Sequence, residues 1–219
     1  MMIYEPFKKV PISEFHEELK FEFPNLAPTM FDYYLVRAAI QMAKTGNLIR
    51  RRATLNAEHC VTRYKLEALD DMDICGILSI MSIMSKPSCS GCGPLEVKRA
   101  FTAPKDYKCV TREIAWYDDQ EGVLHVHPKY TRNRYFITMS VAPRPGACEL
   151  PEAYKTQFLP TLLMGAKGLI MLIPNRPWSN VRMGQGYYNE FLKLIRDDAI
   201  EVATHKMRGA IRMNFGPAV

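Results

Sequence analysis

The sequence predicts an α+β protein: a helical bundle, made of an N-terminal helix and a C-terminal αα-hairpin, with an inserted antiparallel β-sandwich or barrel-like domain and an extended C-terminal tail. Apolar residues recur at helical spacing near both ends of the chain, whereas alternating apolar and polar residues dominate its middle. We therefore expect an N-terminal helical segment (1–55), the β domain (56–148), a helical hairpin packed with the N-terminal helix (149–208) and the tail (209–219).

Composition and charge limit the possible functions. The chain has 219 residues, of which 47% are hydrophobic and 24% charged, as in ordinary globular proteins. Its net charge of +6 is compatible with an acidic partner or nearby nucleic acid and requires neither. No apolar run approaches the ~20 residues of a membrane span, and the N-terminus lacks the order of a signal peptide. We expect a protein made in a reducing cytoplasm, without membrane association.

Two helices are predicted in the N-terminal segment. In "PISEFHEELK", Ser13 is placed as an N-cap. In "TMFDYYLVRAAIQMAKTG", Thr29 with Asp32 resembles a capping box, and Gly46 is a natural stop.

Strand patterns fill the middle of the chain. "HCVTRYKLEAL" alternates, and "ICGILSIMSIMS" is rich in isoleucine and interrupted by Gly76, which favours a long strand over a helix. "LEVKRAF", "REIAWYDD", "GVLHVHP" and "RYFITMSVAP" follow, and "YDDQEG" is typical of a hairpin loop. Short strands separated by turns predict a small antiparallel sandwich or barrel.

The third part returns to helical patterns. "LPEAYKTQF" places Pro151 in a first helical turn. Pro160 must kink that helix or begin a new one. Gly165, Ala166 and Gly168 form a small-residue strip that lets another backbone approach closely.

A proline-rich elbow connects this helix to the next one. The segment "GAKGLIMLIPNRPWSN" ends with Ser179 and Asn180, either of which can cap a long helix running to about Arg208. Trp178 is expected to fill the apolar end of the resulting αα-hairpin.

Few residues form patterns that are typical of catalytic or metal-binding sites. Cys89 and Cys92 form one C-x-x-C, but a structural zinc site normally has a second close pair. His125 and His127 would share one face of a strand, and no third ligand is visible. The motifs of nucleotide-binding loops, nucleophile elbows and zinc proteases are absent from the sequence. We predict no catalytic residue, no cofactor and no bound metal, with metal binding by these four residues as the least favoured alternative.

Basic residues cluster at two internal places. They can face phosphates, acidic patches of a protein, or water. The cluster residues are Arg50, Arg51, Arg52, Lys129, Arg132 and Arg134.

The order of these parts resembles the head-to-tail adaptor proteins of tailed, especially short-tailed, bacteriophages. The resemblance covers roughly residues 10–205 and is one of order and spacing, with Pro160 departing from the uninterrupted helix of the family. It includes "YYLVRAAIQMAKTGNLIRR", which is similar to the family's early helix, followed by a β region. In the C-terminal part, it rests on Leu150-Pro151, Gly165-Ala166, Pro174, Pro177-Trp178, Ser179-Asn180, Tyr188 and Phe191.

The resemblance implies a non-catalytic virion protein, assembled in the host cytoplasm and located at the head-tail junction. Members form a twelve-fold ring between the portal and the tail nozzle, with tail fibres nearby, and DNA passes through the ring without sequence-specific recognition. The alternative is another neck or tail component. The implied portal-docking residues are Arg208, Ile211, Arg212, Met213 and Phe215. The implied ring and hairpin packing residues are Gly165, Ala166, Pro177, Trp178, Tyr188 and Phe191. The basic cluster residues named above would face the lumen.

Overall fold

The protein combines α-helices and β-sheets, as the sequence predicts. The computed structural model describes residues 2–4, 8–56, 61, 63–66, 75–86, 95–96, 98–99, 114–118, 121–127 and 134–212. The chain divides into two compact units. We call Met1–Phe7 with Arg50–Val141 the β unit, and Lys8–Ile49 with Ala142–Val219 the helical unit. No helix within the described ranges is both long and apolar enough to cross a membrane.

Strands of the β unit form two sheets. The strands are β1 (Met2–Tyr4), β3 (Arg50–Asn56), β4 (Arg63–Lys65), β5 (Cys75–Lys86), β6 (Leu95–Glu96), β7 (Lys98–Arg99), β8 (Ile114–Asp118), β9 (Val123–His127) and β10 (Arg134–Pro143). One sheet has the order β1-β3-β10-β5-β6 and the other has β4-β9-β8-β7. Antiparallel pairing dominates, as predicted, although β7 and β8 pair in parallel. The sequence runs predicted as strands include β5, β8, β9 and β10, whereas β1 and β3 lie in the segment predicted to be helical.

The helical unit contains five α-helices among the described residues. Its elements are β2 (Lys9–Pro11), a 3-10 turn (Ile12–Phe15), α1 (His16–Glu22), α2 (Pro28–Gly46), β11 (Glu149–Pro151), α3 (Ala153–Thr156), α4 (Leu159–Met171) and α5 (Val181–Arg212). The short strands β2 and β11 pair antiparallel, with Val10 opposite Leu150. Tyr154 on α3 is fully buried, and its hydroxyl donates a hydrogen bond to the Ala39 carbonyl on α2 at 2.9 Å. The core of this unit is thus built by elements far apart in sequence.

Several helix boundaries differ from the sequence prediction. Ser13 lies in the 3-10 turn and does not cap α1, which begins at His16 without a side-chain cap. The capping box at the start of α2 is also wrong, because Ala27 is its N-cap and Asp32 instead contacts His16 at 2.7 Å.

Two prolines mark boundaries near α4. Pro151 lies in β11 and not in a first helical turn. Pro160 lies in the first turn of α4, where its missing N–H costs no helical hydrogen bond. It therefore begins a new helix, which is one of the two outcomes that the sequence allowed.

Candidate functional site

The α4–α5 hairpin is the main candidate for an assembly surface, and its register is set by two contacts. The Thr161 hydroxyl, near the start of α4, donates a hydrogen bond to Asp198 Oδ2 on α5 at 2.8 Å. Further along, Gly168 lies so close to α5 that a β-carbon there would come within 2.9 Å of the Tyr188 backbone nitrogen. The helices are therefore antiparallel, and the start of α4 lies opposite Asp198.

Glycines allow this close approach between α4 and α5. A β-carbon on Gly165 would lie 2.6 Å from the ring of Phe191, which is fully buried. A β-carbon on Gly184 would lie 3.2 Å from the Gly168 carbonyl oxygen. Ala166 is also fully buried. The small-residue strip in the sequence thus forms the contact between the two helices.

The elbow between these helices is ordered by its own polar groups. Asn180 is the cap of α5, because its Oδ1 accepts a hydrogen bond from the Met183 N–H at 3.0 Å. The Ser179 hydroxyl accepts from the Arg176 N–H at 2.8 Å and donates to the Ile173 carbonyl. These hydrogen bonds close the turn and begin α5.

Trp178 and its neighbours are buried to different degrees at the elbow. Trp178 is half-buried, Pro177 is exposed and Tyr188 is half-buried. Tyr188 contacts Phe191, with ring centroids 5.8 Å apart. Part of Trp178 is therefore accessible at the elbow, whereas its indole Nε1 is buried and has no hydrogen-bond partner among the described residues.

Helix α5 extends well beyond its partner α4. It has 32 residues, or about 48 Å, whereas α4 has 13 residues, or about 20 Å. We call residues 181–198 the packed half and residues 199–212 the projecting half. The packed half contributes Phe191 and Ile195 to the core, whereas none of the described side chains of the projecting half is buried. Ile200 in the projecting half is 62% exposed.

The predicted portal-docking residues lie at the end of this helix or after it. Arg208, Ile211 and Arg212 are in α5, whose last turn includes residues 209–212 that the sequence assigned to the extended tail. Met213 and Phe215 lie outside the described residues.

The predicted basic cluster is divided by the geometry of β3. Side chains alternate across a strand, so Arg51 points inward and is 2% exposed, while Arg50 is half-buried and Arg52 is exposed. Arg134 on β10 is exposed and donates to Asn56 Oδ1 at 3.2 Å. Lys129 and Arg132 lie outside the described residues, as do Cys89 and Cys92. Arg51 is thus unsuited to a DNA-facing role.

A cavity of about 800 Å³ in the helical unit was not evident from the sequence. It lies between the 3-10 turn, α2 and residues 145–148, and includes the His16–Asp32 pair and Cys148. A cysteine protease-like site would need the thiol to bond the imidazole, but the Cys148 thiol donates only a long contact to the Gly146 carbonyl at 3.9 Å. Among the described contacts, Cys148 and His16 therefore do not form an assembled nucleophile and base.

A second polar cluster lies on the β8–β9 hairpin. Donor atoms of Asp118, Glu121 and His125 are all within 4.8 Å of one another. His125 was a candidate ligand in the sequence, but its neighbours here are two carboxylates. The side chain of His127 lies outside the described part of the structure.

Comparisons with known proteins add no identification. No protein family model matches the chain, and no curated protein matches it.

Proposed function

We propose that this chain is a structural virion protein that acts as a head-to-tail adaptor, forming a ring between the portal and the tail nozzle through which DNA passes. The observation that carries the proposal is the projecting half of α5. A helical segment of about 21 Å with no helix opposite it among the described residues is marginal on its own in water. A neighbouring copy or a portal subunit that packs along it would stabilise it.

A closed ring needs one surface of each copy to bind a different surface of the next copy. The projecting half offers Ile200 at its exposed face. Val181 and Met183, at the opposite end of the same helix, are 65% and 48% exposed. Two separate apolar sites on one helix are suited to such a heterologous contact.

The remaining parts of the proposal follow the resemblance. The architecture is a helical bundle with an inserted sandwich- or barrel-like β domain. Arg208, Ile211, Arg212, Met213 and Phe215 dock on the portal. Arg52 and Arg134 supply positive charge to the lumen without sequence-specific DNA binding. The protein functions in the virion, performs no catalysis and contacts the nozzle and fibres through other faces.

Electron microscopy of reconstituted complexes tests this function. The chain is expressed alone and together with the portal protein of the same genome, and both samples are imaged. A ring added to one end of the portal is the expected result and gives the copy number directly. A folded chain that does not bind an intact portal would contradict the adaptor proposal and favour a more distal tail component.

Two variants on α5 test whether its projecting half forms part of the ring interface. Ile200→Glu places a charge on the projecting half and should prevent ring formation. Asn189→Glu adds the same charge to an exposed position of the packed half and serves as the matched control. Equal assembly of both variants would show that the projecting half is not part of the interface.

A further inference from the structure

We propose that Asp118, Glu121 and His125 bind one divalent transition-metal ion, of the Mn²⁺ or Zn²⁺ type, on the β8–β9 hairpin. The proposal is independent of the adaptor function, because it depends only on groups within the β unit. Its basis is the convergence of three donor side chains of the kinds that such ions prefer.

Backbone register brings these residues together. Asp118 pairs with Val123, so Asp118 and His125 share one face of the hairpin as diagonal neighbours. Leu124 and Val126 alternate with His125 and are fully buried, which anchors β9 and fixes the outward direction of the imidazole.

The turn then brings the third donor over this face. Gly122 adopts a positive φ of 66°, a conformation that glycine reaches without strain and that reverses the chain next to Glu121. The Glu121 N–H donates a hydrogen bond to Asp118 Oδ1 at 3.2 Å. Glu121 is thus held beside Asp118 by its backbone N–H.

The donor set matches a divalent transition ion in charge and type. Two carboxylates and a neutral imidazole carry a charge of −2, and imidazole favours transition metals over Ca²⁺ and Mg²⁺. Bonds of about 2.0–2.2 Å to zinc place ligand atoms about 3–4 Å apart. Donors within 4.8 Å of one another reach that spacing by small rotations.

Arg63 on β4 holds the most exposed of the three ligands, Glu121. Its guanidinium contacts Glu121 Oε2 at 2.6 Å, and both side chains are more than half exposed. A carboxylate has two oxygens, so Glu121 can accept from Arg63 through one and bind the ion through the other. Arg63 is therefore a positioning residue, of the kind that orients metal ligands.

Titration of the full chain with Mn²⁺, followed by electron paramagnetic resonance, tests this site. Mn²⁺ is the probe because the thiols of the six cysteines bind it poorly. We expect one saturable site per chain, from which equimolar Zn²⁺ but not Mg²⁺ displaces the ion. Asp118→Asn and His125→Ala should each weaken binding by about tenfold or more, which is about 1.4 kcal/mol.

The matched control is Asp197→Asn, which removes a carboxylate from an exposed position on α5. It should bind Mn²⁺ as the unmodified chain does, and circular dichroism checks that each variant is folded. No saturable binding by the folded chain would overturn the proposal. An equal loss in the control would also overturn it, because binding would then reflect diffuse surface charge.

Discussion

The two halves of α5 have similar apolar spacing in the sequence but different surroundings in the structure. In the packed half, Phe191 and Ile195 are fully buried. In the projecting half, Ala199 and Val202 continue the apolar spacing but are only half-buried, and Ile200 is exposed. Hydrophobic periodicity therefore predicts a helix and its apolar face, but it does not show whether the chain itself covers that face.

The boundary between the halves has a physical cause. Helix α4 begins at Leu159, opposite Asp198, because Pro160 cannot extend a helix that comes from α3. On the other side, Gly46 ends α2 next to Ile195, where a β-carbon would lie 3.0 Å from Ile195 Cγ2. The first turn of α4 and the last residue of α2 thus lie beside nearby positions of α5, Asp198 and Ile195, and neither helix covers the described residues of α5 beyond them.

The largest expected effect is a difference in unfolding free energy between variants of the packed half and of the projecting half. Phe191→Ala should lower the free energy of unfolding by about 3–5 kcal/mol, because it leaves a cavity against Gly165. Ile200→Ala in the projecting half should change it by less than about 0.5 kcal/mol in the monomer. Urea unfolding of both variants measures this difference. Equal losses would show that the projecting half is already buried within one chain.

Two glycine substitutions compare a closely packed position of the α4–α5 hairpin with an open one. Gly168→Ala should destabilise by about 1–3 kcal/mol, because the β-carbon meets backbone atoms of α5 that cannot move aside. A β-carbon at Gly186, on the same hairpin, would have no described atom within 4 Å. Gly186→Ala should therefore stabilise the protein by about 0.5–1 kcal/mol through helix propensity. Melting temperatures of the two variants should shift in opposite directions. A shift of the same sign would contradict the close contact of α4 and α5.

A smaller effect is expected at the elbow. Asn180→Ala removes the side-chain acceptor of the Met183 N–H and should cost about 1 kcal/mol. Asn180→Asp keeps an acceptor, adds favourable charge at the helix N-terminus, and should retain stability. Chemical denaturation of both variants measures the cap. A stable alanine variant would mean that Ser179 alone organises the start of α5.

Much of the fold was predictable because it depends on local patterns. The long helices α2 and α5 and the strands β5 and β10 have clear periodicity and boundaries. The strands β2 and β11 were not predictable, because each is 3 residues long and forms only by pairing with the other across more than half of the chain. Local patterns carry no information about such a partner.

The candidate sites were less predictable than the fold, because they depend on contacts that local sequence patterns do not show. Asp32 fits a capping box in the sequence, yet in the fold it contacts His16 at 2.7 Å. Asp118 and Glu121 lie in the hairpin loop that "YDDQEG" predicts and His125 lies in the strand that follows, but the sequence does not show which side chains share one face of that hairpin. Only the register of β8 with β9 brings the three side chains together. Sites that depend on register or on long-range packing therefore need the structure.

The smallest expected effect lies at the boundary of the two halves and depends on pH. Burial raises the pKa of Asp198 above its ordinary value of 3.8, with smaller contributions from Glu201 and Asp197, while the hydrogen bond from Thr161 opposes the shift. A raised pKa in the folded state means that folding favours the protonated acid, so this stabilisation is complete below about pH 3.8 and is lost as the pH rises through the higher value.

Asp198→Asn keeps an acceptor for Thr161 and should be more stable than the unmodified chain at pH 7, with the advantage shrinking toward pH 3.5. Asp197→Asn, on the exposed side of the helix, should not reproduce this dependence in urea unfolding at the two pH values. An identical pH dependence of both variants would indicate a general charge effect, and would mean that α5 is no more closely packed at Asp198 than at its exposed neighbour.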